Sequence, residues 1–151
     1  MPEKTTLRRA RADKRAGKSP TTQAGEFVRE EIHHVREGKH GARSTKQAIA
    51  IGLSKARRSG VKLPPPPASA AARTKQSAKS ATRAASHPRR KPSARRSRAV
   101  RAALKHEGRS AASRKALSRH ATASARRRSP AARRAAARKA VRTRQRRRAT
   151  A

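Results

Sequence analysis

Cysteine, tryptophan and tyrosine are absent from this chain, and phenylalanine occurs once, at Phe27. Without thiols there is no disulfide framework and no cysteine-based zinc or iron–sulfur site to staple a small core. With one phenylalanine ring, there is no array of platforms on which unpaired bases stack. Large apolar side chains are also scarce. Leu, Ile, Val and Phe together number 14 in 151 residues, and 34 further residues of the nominally hydrophobic fraction are alanine, which buries little area. No stretch approaches the ~18 apolar residues of a membrane span, and the amino-terminal residues have no apolar run of the kind that marks a signal peptide. Acid is scarce as well, with 7 Asp and Glu against 44 Lys and Arg, a formal charge of +37. Few core formers and high net charge together predict disorder over much of the chain. The compositional expectation is a non-enzymatic, cytoplasmic polycation.

The charge is unevenly placed. Residues 1–63 carry 16 basic and 6 acidic side chains, whereas residues 64–151 carry 28 basic side chains and one acid, Glu107. Ten of the 14 large apolar residues also precede Pro64-Pro65-Pro66-Pro67. The reading is therefore a flexible basic arm over 1–18, a helical hairpin over 19–63, a polyproline spacer over 64–67 and a low-complexity Ala/Arg/Ser/Lys tail over 68–151. In class terms this is mainly α with disorder.

Within the hairpin, helical periodicity places Phe27, Val28, Ile32 and Val35 on one face of a helix over about 22–37, with Thr21 or Thr22 as cap and Gly38 at its end. Ser44-Thr45-Lys46-Gln47 fits a capping box opening a second helix over about 45–59, with Ile49 and Leu53 on its apolar stripe and Gly60 as the terminating glycine. So few large side chains make a two-helix unit marginal by itself; Leu7 and Leu63 folding back, oligomerisation or a bound polyanion are the ways it can be completed. In the tail, dense like charges oppose helix formation. Free disorder is expected there, with helix forming on a polyanion, best over 130–148 behind Ser129-Pro130 and secondarily over 97–106.

The basic tail is the strongest functional signal. Each Lys or Arg that meets a phosphate releases condensed counterions, which gives affinity for nucleic acid largely independent of sequence. Arg outnumbers Lys there 22 to 6, and guanidinium grips phosphate bidentately. The residues expected to bind are Arg89, Arg90 and Lys91; Arg95, Arg96 and Arg98; Arg126, Arg127 and Arg128; Arg133, Arg134, Arg138 and Lys139; and Arg146, Arg147 and Arg148. DNA is the expected partner. RNA bound by Arg-rich segments, or a stress or plasmid-maintenance adaptor whose hairpin binds a protein partner, are the alternatives, and a second copy can also dock on the hairpin.

Other patterns carry less. Glu30-x-x-His33 and Glu31-x-x-His34, with His40 nearby, have the spacing of carboxylate metal sites in helix bundles, but the second helix offers no matching acid or histidine, so no metal and no cofactor is expected. Gly52-Leu53-Ser54-Lys55-Ala56 resembles a nucleophile elbow yet sits in a helical pattern with no preceding strand, and no catalytic residues are assigned.

The runs from Thr22 to Ile32, Glu37 to Ser44 and Gln47 to Arg58 together resemble a family of small basic bacterial proteins of uncharacterised function whose members are labelled as DNA-binding or plasmid-stabilisation proteins. The tail separately resembles the Ala/Lys-rich tails of linker histones and bacterial histone-like proteins, departing from them by preferring Arg. The resemblance implies a chromosome-associated protein of the bacterial nucleoid that binds and compacts DNA.

Overall fold

The computed structural model describes residues 2–87 and 93–149, and every regular element among them is helical. Seven α-helices follow one another: α1 (Lys4–Arg15), α2 (Pro20–Arg36), α3 (Thr45–Arg58), α4 (Ala72–Ser86), α5 (Ala94–His106), α6 (Arg114–Arg126) and α7 (Pro130–Ala149), with a 3₁₀ turn at Ser110–Ala112. The expectation of a short hairpin followed by a disordered tail is therefore wrong. The chain divides into two compact units, Met1–Ser113 and Arg114–Ala151.

Local signals account for most helix ends. Ser19, rather than Thr21 or Thr22, caps α2, its hydroxyl accepting from the Thr22 amide at 3.4 Å with Pro20 in the first turn. In α3 the Ser44 hydroxyl accepts from the Gln47 amide at 3.2 Å, while the Gln47 side chain reaches back to the Arg43 amide at 2.9 Å, one residue earlier than a regular capping box would have it. At the end of α3, Gly60 has φ +85°, and the Gly60 and Val61 amides donate to the Arg57 and Ala56 carbonyls. This is a Schellman ending, which satisfies two otherwise orphaned carbonyls. Gly38, φ +76°, closes α2 in the same way.

The interior of the first unit is built mainly of alanine. Among the described residues thirteen apolar side chains are buried and nine are alanine, including Ala24, Ala48, Ala56 and Ala112 at 0% exposure. Small side chains let helices approach closely. Gly52 of α3 lies against α2 so tightly that a Cβ there would sit 2.7 Å from the Val28 Cα. Phe27 fills the centre with Ala10, Ala24, Ala56 and Val61, and Leu7, Leu53 and Leu63 pack around this group. Of the expected hairpin core, Phe27, Ile32 and Val35 are buried, while Val28, Ile49 and Leu53 are half-buried. The segment that reads as an arm is thus α1, which seats Thr6 and Ala10 against the hairpin.

The chain beyond the prolines also joins this unit. Pro64–Pro67 line a groove with Leu53, Leu63 and Ala78, and α4 packs along α3 with Ala78 and Ala81 buried. Farther on, the Gly41 amide donates to the Leu104 carbonyl at 2.7 Å and the Ala42 amide to the Gly108 carbonyl at 3.1 Å. The Thr45 hydroxyl donates to the Ala111 carbonyl at 2.7 Å and Arg36 Nε to the Ala112 carbonyl at 2.8 Å. Composition misses this docking because it uses backbone groups and alanines rather than large apolar side chains.

The tail is helical for a local reason. Alanine and arginine have high helix propensity, and serine hydroxyls open two of its helices, Ser93 accepting from the Arg96 amide and Ser129 from the Ala132 amide. In the second unit no described residue is buried. No helix among the described residues is long and apolar enough to cross a membrane.

Candidate nucleic-acid interface

Helical geometry sorts the cations of the tail onto faces. On α5, Arg98, Arg101 and Lys105 recur at three- and four-residue spacing and share one side, with Arg95 nearby; Arg96 lies elsewhere on the helix. On α6, Lys115, Arg119 and Arg126 fall on one side, and Arg127 and Arg128 follow in the link to α7. Helix α7 differs. Its cations, among them Arg133, Arg134, Arg138, Lys139, Arg146 and Arg148, are distributed around the whole circumference of a 20-residue helix about 30 Å long. All of these side chains are exposed. Arg147 lies on the same helix, its side chain outside the described residues, as are Arg89, Arg90 and Lys91 altogether.

Runs of adjacent basic residues do not single out Arg101, Lys105 and Arg119. Their signal is the i, i+3, i+4 recurrence, which becomes visible once the segment is helical.

Charge compensation separates these helices from the amino-terminal ones. There, each acid has a cation within reach: Asp13 with Lys18 at 2.5 Å, Glu26 with Arg29 at 3.3 Å, Glu37 with Lys39 at 3.1 Å and Glu30 with Lys55 at 3.1 Å. After Glu107 the chain supplies no acidic side chain at all. Like charges one turn apart on α7, such as Arg134 with Arg138, are destabilising until anions screen them.

A second polar constellation lies inside the first unit. Glu30 and Glu31, both buried on α2, converge on Lys55 of α3, whose Nζ is 3.1 Å from Glu30 Oε1 and 2.7 Å from Glu31 Oε2. Burial pushes the Glu30 carboxyl up, but hydrogen bonds from the Thr6 hydroxyl, the Glu3 amide and Lys55 outweigh it and hold it below its ordinary value. Burial likewise pulls Lys55 down, and the two carboxylates more than restore it, leaving its ammonium above the ordinary value. At the rim, Glu3 is held below its ordinary value by hydrogen bonds from His34 and Lys39. Lys39 is raised by Glu37 and Glu3. These contacts stitch α1, α2, α3 and the loop after α2 together.

Ser54, the central residue of the elbow-like sequence, lies within α3, and Gly52, two residues before it, serves the close approach to α2.

Residues 11–66 match the model of a family of unknown function, DUF6496, a span covering the last five residues of α1, all of α2 and α3, and the first three of the four consecutive prolines. No curated protein matches the chain, and no solved structure does.

Proposed function

We propose that this protein is a non-enzymatic, sequence-nonspecific DNA-binding protein of the bacterial nucleoid, in which the basic helices neutralise duplex phosphates and compact the DNA. The observation that carries this reading is the exposure of the α5, α6 and α7 cations on a stretch whose single acidic side chain is Glu107. Duplex DNA presents one negative charge per about 1.7 Å of axis, so a helix the length of α7 spans many phosphates. Arginine favours this role because its planar fork binds phosphate oxygens in pairs and enters narrow minor grooves. The lack of tryptophan and tyrosine argues for backbone contacts over stacking on unpaired bases.

The test is binding of the full chain to two duplexes of unrelated sequence across a salt series, with structured RNA as competitor. Equal affinity for both duplexes is expected, and if ten cations engage, log K falls with log salt at a slope of about −9. Strong preference for one duplex sequence, or displacement by RNA far below the equivalent DNA concentration, overturns it; the second outcome assigns RNA as the partner.

A further inference from the structure

Glu31 is 1% exposed; its Oε2 is ion-paired with the Lys55 ammonium at 2.7 Å, whereas its Oε1 is a buried oxygen with no hydrogen bond. Lys55 balances charge on the Oε2 side. Oε1 instead faces His40 Nε2 at 3.2 Å. The other nitrogen of that ring, Nδ1, lies 3.0 Å from the Gly41 carbonyl oxygen, which can only accept, so Nδ1 carries the proton. With Nδ1 turned to that carbonyl, Nε2 and Glu31 Oε1 face each other across a gap that a cation between them would bridge with two bonds. A separation of 3.2 Å also suits this, because ligands about 2.0 Å from a tetrahedral metal lie about 3.3 Å apart.

His34 completes the set. One nitrogen from His34, one from His40 and one oxygen of Glu31 lie within 4.8 Å of one another. His34 Nε2 is 2.9 Å from Glu3 Oε1, so this imidazole, like His40, has one nitrogen engaged by an outer oxygen. That pairing, carbonyl or carboxylate behind each ring, is what orients metal-binding histidines and fixes their tautomer. We propose that Glu31, His34 and His40 bind a divalent transition-metal ion, with zinc the best match to two imidazoles and a carboxylate. The side chains of His34 and His40 are 13% and 19% exposed, which leaves solvent access for a water as fourth ligand. His33, 60% exposed and 3.8 Å from Glu37, stands outside the set. The third ligand comes from the loop after α2 and not from α3, where helix-bundle logic seeks it. Bound metal would tie that loop to α2 and, through Glu3, to the start of α1.

Chelator-treated full-length protein, titrated with Co²⁺ and then Zn²⁺, tests the site. One Co²⁺ per chain should bind with the visible absorption of a four- or five-coordinate ion, and one equivalent of Zn²⁺ should displace it. His40→Ala should abolish that band, His33→Ala should leave it unchanged, and Glu3→Gln should weaken binding about 10- to 100-fold, as for outer partners elsewhere. His40→Ala changes a partly exposed side chain, so far-UV circular dichroism confirms that the variant is folded, and the result does not depend on Glu31→Gln, which also removes a charge partner of Lys55. Absence of a one-equivalent band in the native chain, or its persistence in His40→Ala, overturns the proposal.

Discussion

At Gly52 and Gly25 the same substitution should act with opposite sign. Both glycines lie inside helices, where alanine is intrinsically favoured by about 1 kcal/mol. Nothing lies within 4 Å of a Cβ built on Gly25, whereas one on Gly52 would be 2.7 Å from the Val28 Cα and 3.0 Å from its Cγ2. Backbone cannot move aside as a flexible side chain does. Gly25→Ala should therefore raise stability by about 0.5–1 kcal/mol, and Gly52→Ala should lower it by about 1–3 kcal/mol, the range for overpacking. Denaturant unfolding followed by circular dichroism measures both; a stabilised Gly52→Ala variant would show that α2 and α3 are not in close backbone contact. The same logic explains the alanine interior. A side chain that contributes little apolar area can still be central when its smallness permits the approach of two helices.

For the elements, the helix ends of α2 and α3 were legible because their causes are local. Ser44, Gly38 and Gly60 each act within a few residues of themselves, and the expected spans agree with the observed ones to within about two residues. The docking of residues 104–112 had no such signal, because its partners are distant in sequence: Thr45 meets the carbonyl of a residue 66 positions away, and Arg36 one 76 positions away. Gly41 is central to it. A Cβ at this position would overlap the Glu107 carbonyl oxygen and approach the Gly108 carbonyl oxygen to 2.9 Å. Gly41→Ala should break the hydrogen bonds from the amides of residues 41 and 42 to the Leu104 and Gly108 carbonyls, while α1 to α3 stay folded. Hydrogen exchange reads this directly: both amides should lose protection, with those inside α2 unchanged. Retained protection at residue 42 would refute the arrangement.

Across the whole molecule the decisive pattern is where charge is compensated. The paired acids lie in the first unit, and the second unit, with 15 of the 44 basic residues, has no acidic side chain. The DNA-binding reading extends to a quantitative expectation. Replacing Arg133, Arg134, Arg138 and Lys139 by glutamine should weaken duplex binding equally for every sequence and make the salt slope shallower by about 0.9 for each phosphate that is no longer neutralised. A weakening confined to one sequence would instead indicate base readout by α7.

The amino-acid sequence by itself determined the basic character, the placement of that charge, and the starts and stops of the central helices, since charge is additive and caps are local. Even the helices of the tail were foreshadowed by Ser129-Pro130 and by the Val100–Leu104 spacing; their formation without a polyanion was not, because in a linear pattern repulsion between like charges stands against helix propensity with nothing to decide between them. Only the tertiary structure decided that alanines form the interior, that the chain beyond the prolines returns to the first helices, and that Glu31, His34 and His40 meet. Each of these depends on how closely two distant segments approach, a property of the packed chain that no local pattern encodes.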